Sequence, residues 1–361
     1  MNSLDVVVAK LKKLAPLSLA GSWDNVGLLV EPSPPKYISK IMLTNDLTTA
    51  VMEEAKDKTV DLIISYHPPI FAPLKRLTQS SWKQRLVVEC IENRIALFSP
   101  HTSHDALEGG VNDWLLSAFE VKKDSVRPVD FNEEFPEGLT HVLEVDFEPS
   151  KLKEIRDQVL VSQLSPDSRL RKNKDAFVFH SVKIGSTSAG ETCRLQVECN
   201  KSELTDMLKG LTSSKQQEHF SVKHLSKVPK HATGMGRQAE LSLPIPLSVA
   251  VEKIKSHLNI QYVSLAKAQG KEEEEIQFIA VCAGSGSSVL QSVACDLLVT
   301  GEMSHHEVLD AVHRGCNVVL CHHSNTERGY LVHLCKKLIN TLGNSIDIFV
   351  SETDRDPLEV V

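Results

Sequence analysis

Three apolar, strand-like runs of this chain each end in histidine and carboxylate residues. Val60 to Ser65 leads into Tyr66 and His67, Arg94 to Phe98 into His101 and Asp105, and Asn317 to Cys321 into His322, His323 and Glu327. A fourth, Asp296 to Thr300, leads into Glu302, His305 and His306. In open α/β sheets, ligands gather beyond the carboxyl ends of the strands. Imidazole nitrogens and carboxylate oxygens delivered there by several strands converge on one point, and the group they suit is a metal ion.

Each cluster also has a structural explanation. His323 and Glu327 are four residues apart and can share one face at a helix start, but Ser324 with Glu327 is equally the spacing of a capping box. His67 precedes Pro68 and Pro69 and reads singly as a loop histidine. Asp105, in a loop between strand and helix, has the composition of an Asx turn. Ser304 and Glu307 form a second capping-box pattern, which accounts for neither His305 nor His306 and leaves them open to an orienting or substrate-binding role. Gly284 to Ser288, at a strand-to-helix turn, has backbone amides suited to phosphate, with tight packing as the alternative. The acidic run 272–275 reads as a solvated loop. No G-x-S-x-G elbow, P-loop or dinucleotide fingerprint occurs, so serine-nucleophile and Walker-type chemistry lack support.

The elements that must position these residues alternate regularly. In the first third, Ile38 to Thr44 reads as a strand ending in Asn45 and Asp46, Thr49 to Lys58 as a helix, and Ser81 to Asn93 as another. Val111 to Phe119 reads as a helix after the Gly109-Gly110 break. The last third repeats the pattern, with strands at Ile276 to Cys282, Asp296 to Thr300, Asn317 to Cys321 and Ile346 to Val350. Helices are expected at Ser248 to Leu258, Ser304 to Arg314 and Thr326 to Thr341. Strand-helix alternation predicts an α/β fold with a mostly parallel or mixed sheet. The middle is richer in Lys, Glu and Ser, with short strands at Thr140 to Phe147 and Cys193 to Cys199 and helices at Pro149 to Leu160 and Lys201 to Leu211. Residues 1–126 and 241–361 are therefore expected to form one discontinuous metal-binding α/β body. Residues 127–240 are expected as an inserted α+β module, ferredoxin-like in pattern, which the chain leaves at Gly234 to Arg237.

The 361 residues are 41% hydrophobic and 24% charged, enough for a sizeable core, and the net charge of -7 argues against a general nucleic-acid binder. No apolar stretch is long enough to span a membrane. Met1 to Leu14 reads as a helix and not as a signal peptide. Eight scattered cysteines without a C-x-x-C pair fit reduced thiols in the cytoplasm or nucleus, and leave any metal to nitrogen and oxygen ligands.

The motifs together resemble a known family. They are Trp23 to Leu28, Tyr66 to Phe71, His101 to Asp105 with Gly109 to Asn112, Thr300 to Glu302, His306, and His323 to Arg328. This ordered set, covering both outer thirds, is similar to the NGG-one-interacting factor three-like family, also called GTP cyclohydrolase 1 type 2 homologues. The closing Glu352 to Pro357 places the likeness with the animal branch. The resemblance implies a two-lobed α/β fold, a homo-oligomer from dimer to hexameric ring, and two divalent ions per subunit, with zinc, iron, manganese and cobalt all open. Carried over by motif, the metal ligands are His67, Asp105, His323 and Glu327. Tyr66, His101 and Glu302 are candidates to orient them, and His306 is the candidate proton carrier. Bacterial relatives have two adjacent histidines before the proline. Tyr66 replaces the first here, and a phenol with an ordinary pKa of roughly 10 is a poor anion. Two functions follow: a metal-dependent hydrolase acting on a nucleotide or related phosphorylated heterocycle, or a non-catalytic oligomeric adaptor for transcription-regulatory proteins.

Overall fold

The structure is a computed structural model that describes residues 2–161, 164–172, 177–182, 192–213, 219–269 and 275–360. Of the acidic run 272–275, only Glu275 falls among them. The chain divides into two compact units, one formed by Met1–Asn132 with His231–Val361 and the other by Glu133–Lys230. These bounds fall inside the expected 127–240, because residues 237–246 are a strand of the larger unit's sheet.

The first half of the larger unit supplies α1 (Leu4–Leu14), β1 (Gly27–Val30), β2 (Lys40–Thr44), α2 (Thr49–Asp57), β3 (Leu62–Ser65), α3 (Trp82–Glu92), β4 (Ala96–Ser99), α4 (Thr102–Ala106) and α5 (Val111–Leu116). The smaller unit supplies β5 (His141–Phe147), β6 (Phe177–Val182), β7 (Thr192–Cys199), α6 (Lys201–Ser213) and β8 (His219–His224). The larger unit resumes with β9 (Arg237–Pro246), α7 (Leu247–Leu258), β10 (Ser264–Ala266), β11 (Glu275–Cys282), β12 (Leu297–Thr300), α8 (His305–His313), β13 (Asn317–Leu320), α9 (Asn325–Arg328), α10 (Tyr330–Leu342) and β14 (Asp347–Val350).

Two five-stranded sheets result. The first runs β14-β2-β3-β4-β1, parallel except for β1, which lies antiparallel on β4. The second runs β9-β11-β12-β13-β10, with a parallel centre and two antiparallel edges. The central strands are apolar throughout because both faces are covered. Ile41, Leu43, Leu62 and Ile64 share one core with Val281, Val299 and Val319 of the second sheet and Leu334 and Leu338 of α10. The alternate residues Met42, Ile63 and Leu97 pack under α2 and α3, and Leu298 and Val318 pack with Ala311 and Val312 of α8.

The smaller unit has β-α-β-β-α-β order and an antiparallel sheet ordered β8-β5-β7-β6, the ferredoxin-like arrangement. Leu143, Val145, Leu195 and Val197 on one face meet Met207 and Leu211 of α6. The other face carries ion pairs, Arg194 with Asp146 at 2.6 Å and Lys223 with Glu144 at 2.7 Å.

Several elements differ from expectation. The edge strands β1 and β10 are too short to show a periodicity, and β9, which alternates apolar and polar residues from Ala239 to Ile245, was not among the expected strands. His101 to Asp105, expected as loop, runs into the short helix α4. Pro149 to Leu160 is a 3₁₀ turn followed by a π-helical segment, not one α-helix. The helix expected over Thr326 to Thr341 is two, divided at Gly329. A Cβ on Gly329 would lie 2.4 Å from Cζ2 of Trp114, a buried ring stacked on His257. Gly329→Ala must displace that ring, and overpacking of this kind costs about 1–3 kcal/mol. Urea denaturation should show the loss; an unchanged midpoint would mean that Trp114 does not limit this position.

Candidate metal centre

The carboxyl ends of both sheets supply the site. His67 follows β3, His101 and Asp105 follow β4, Glu302 follows β12, and His323 and Glu327 follow β13. Among the described residues, His67, His323 and Glu327 bring one ligand atom each within 4.8 Å of one another. Glu327 is the centre of the group: its Oε2 lies 3.2 Å from His67 Nε2 and its Oε1 lies 3.4 Å from His323 Nε2. The His67–His323 ring centroids are 5.2 Å apart.

The backbone is shaped to let these groups meet. His101 (φ 33°) and His322 (φ 68°) both take positive φ, a costly conformation for a non-glycine residue that clusters at functional sites. Gly284 (φ 65°) follows β11, where a Cβ would stand 2.7 Å from Glu327 Oε1 and 3.0 Å from His323 Nε2. The side-chain amide of Asn112 donates to Asp105 O at 2.9 Å, and its carbonyl accepts from Ala283 N at 2.8 Å, tying the two sheet ends together.

Partners fix each ring. His67 Nδ1 contacts Asp46 Oδ1 at 2.9 Å, His323 Nδ1 contacts Glu302 Oε2 at 3.0 Å, and His101 Nδ1 contacts Asp24 Oδ1 at 2.8 Å. Carboxylates behind imidazoles set which nitrogen faces a metal. Ser285 Oγ donates to Glu302 at 2.8 Å, and Asn45 Nδ2 donates to Glu327 Oε2 at 3.2 Å. The Tyr66 hydroxyl donates to Asp105 Oδ1.

Charge in the pocket is finely opposed. Burial would raise the Glu327 carboxyl, but the charges of His67 and His323 and the bonds to it hold it below its usual range. Burial likewise disfavours a charged His67 ring, yet Glu327 and Asp46 keep it protonated up to about 10. Asp105 goes the other way: burial, aided by the Glu327 charge, pushes it up to about 6 against the pull of His101, Tyr66 and His67. Burial and the nearby acids drive Tyr66 well above its ordinary value, so it stays a neutral phenol.

The alternative explanations fare unevenly. Ser324 is not an N-cap acceptor: its Oγ donates to Asp356 Oδ2 at 2.5 Å, and Glu327 turns to the histidines. Asp105 accepts from Tyr66 and forms no Asx turn. The Ser304–Glu307 capping box does form. His306 is exposed on the first turn of α8, its ring 5.5 Å from that of His305, and among the described residues it has no hydrogen bond or ion pair to the group. In the glycine turn, the amides of Gly284 and Gly286 are taken by the hydroxyls of Thr326 (2.8 Å) and Thr300 (3.0 Å). Asp46, Asp24 and Ser285 were missed as orienting residues. Asp46 had a legible signal, standing with Asn45 at the end of a predicted strand.

The residues fit a metal ion. His67 Nε2 is buried against the Glu327 carboxylate, Gly284 leaves a space that any side chain would fill, and two imidazoles with a carboxylate are a donor set for first-row metals.

Two α/β sheets whose carboxyl ends share a histidine-carboxylate group define a class of protein able to hold a metal ion there. The chain belongs to the Duf34/NIF3 (NGG1p interacting factor 3) family, whose model matches residues 2–357. It is 44% identical to NIF3-like protein 1 of Bos taurus over 99% of this chain and 92% of that one. It is 31% identical to NGG1-interacting factor 3 of Saccharomyces cerevisiae over 99% and 96%. The Staphylococcus aureus protein SA1388 shares the fold, with a TM-score of 0.74 and 22% identity over 99% of both chains. Among the described residues, no helix is long and apolar enough to cross a membrane.

Proposed function

We propose that this chain holds two divalent metal ions per subunit and hydrolyses a nucleotide or related phosphorylated heterocycle as a homo-oligomer. The observation that carries the reading is the convergence of His67, His323 and Glu327, which bring one ligand atom each within 4.8 Å of one another. His67, His323 and Glu327 would hold one ion. Asp105, with its oxygen fixed by Tyr66 and the His101 ring beside it, would serve the second. Bound metal lowers the pKa of its water toward about 7 and polarises a substrate oxygen. The chain does the positioning: Asp46 and Glu302 aim the two imidazoles, and Asn45 holds one Glu327 oxygen. The exposed Leu243 and Leu265, on opposite edge strands of the second sheet, support self-association through those edges. Eight free cysteines agree with a cytoplasmic location, with or without the nucleus.

Elemental analysis of protein purified without chelator, combined with its mass in solution, tests this. About two ions per chain in an oligomer are expected. A monomer, or protein that takes up none of zinc, iron, manganese or cobalt, overturns it.

The second reading is a non-catalytic adaptor, favoured by the name of the yeast relative, an interacting factor. A metal-ligand variant that keeps its fold and partner pull-down, while losing a measured turnover, excludes it.

A further inference from the structure

The parallel strands of the second sheet start at the edge opposite the histidine-carboxylate group, and two cysteines meet there. Cys295 stands two residues before β12 and Cys316 one residue before β13. Asn317 N donates to Asp296 O at 2.9 Å, which holds the two segments side by side. Both side chains join the apolar cluster of Val293, Leu298 and Val318, where the Cys295 thiol donates to Leu297 O at 3.4 Å and the Cys316 thiol to Val293 O at 4.0 Å. Both residues also line an open cleft of about 580 Å³ with Phe278 and Arg314; Cys295 is half-buried and Cys316 lies buried in the cleft wall.

The pair is unsymmetrical. The neighbouring Cys295, aided by the Arg314 charge, outweighs burial and holds Cys316 below the usual thiol range. The thiolate is the nucleophilic form. Burial keeps Cys90, Cys282 and Cys321 as inert thiols.

We propose that Cys295 and Cys316 are an oxidisable dithiol that closes to an intramolecular disulfide, with a hydroperoxide as oxidant. The Cys316 thiolate attacks one peroxide oxygen, the O–O bond breaks, and the leaving oxygen departs as water after taking a proton. Cys316 is then a sulfenic acid. The Cys295 sulfur, giving up its proton, attacks that sulfur; the S–S bond forms, the S–O bond breaks, and a second water leaves. Two thiols and one hydrogen peroxide become one disulfide and two waters, with two electrons passing from sulfur to peroxide. The inference stands independently of the metal reading.

The test treats native, full-length protein with hydrogen peroxide, then denatures it, alkylates free thiols and maps the peptides by mass. The wild type should lose two of its eight thiols, join the Cys295 and Cys316 peptides, and recover both with dithiothreitol. Cys295→Ser should show Cys316 oxidised without a link. Should that variant fail to fold, the wild-type map decides alone. A disulfide between other cysteines overturns the proposal. So does oxidation of Cys316 without a link in the wild type, or an unreacted pair under peroxide that oxidises a cysteine peptide in the same tube.

Discussion

Glu327→Gln is expected to weaken zinc binding by about 100-fold or more, equivalent to about 2.7 kcal/mol. The substitution keeps the shape of the side chain and removes the anion that, among the described residues, faces both imidazoles, at 3.2 and 3.4 Å. A residue that merely orients a ligand costs about 10- to 100-fold when changed, so a ligand should reach at least the upper end. Competition against a chromophoric chelator reads the affinity, and circular dichroism shows whether the variant folds. His306→Gln is the control: its exposed ring lies outside the group, and affinity should stay at the wild-type value. Wild-type affinity in a folded Glu327→Gln protein would remove this carboxylate from the metal centre.

Glu54→Gln is expected to cost about 3 kcal/mol at neutral pH. The Glu54 carboxylate on α2 accepts from Ser351 Oγ (2.6 Å), Thr353 Oγ1 (2.7 Å), Glu352 N (3.0 Å) and Thr353 N (3.1 Å), and pairs with Lys58 at 2.9 Å. Burial would raise its pKa, but these donors win and depress it from 4.5 to about 2. A depressed carboxyl stabilises the fold fully above its unfolded value. That contribution fades as pH falls from 4.5 and is gone near 2. Unfolding free energies measured from pH 7 to 2 should therefore fall less steeply for the variant than for the wild type. Equal acid slopes would show that Glu54 does not carry this linkage. The effect also bears on the metal centre, because the segment that Glu54 clips includes Asp354. That residue accepts from Asn45 N at 2.7 Å and pairs with Arg328 at 2.5 Å, beside Glu327.

The strands that carry His67, Asp105 and His323 were legible because strands buried on both faces leave continuous apolar runs, and polar side chains gather where those runs stop. What escaped was contact made across the sheets. Nothing near Asp24 in the sequence points to His101, and the pairing exists only because β1 lies antiparallel on β4. Ser324 and Glu327 were ambiguous for a different reason. Their spacing suits a cap and a ligand equally, and the helical backbone of Ser324 (φ -69°, ψ -20°) decides between them. Gly329 reads as an ordinary helical residue until the ring of Trp114, more than two hundred positions earlier, occupies the space beside it.

The position of β14 has a consequence for synthesis. It pairs with β2 and shields what would otherwise be an open edge of the first sheet, yet it spans Asp347–Val350. A nascent chain leaving the ribosome therefore exposes the β2 edge, with its hydrogen-bonding groups, until β14, about three hundred residues later, has emerged. The sheet that bears His67 is completed last, and a premature stop before residue 347 leaves that edge open to neighbouring chains.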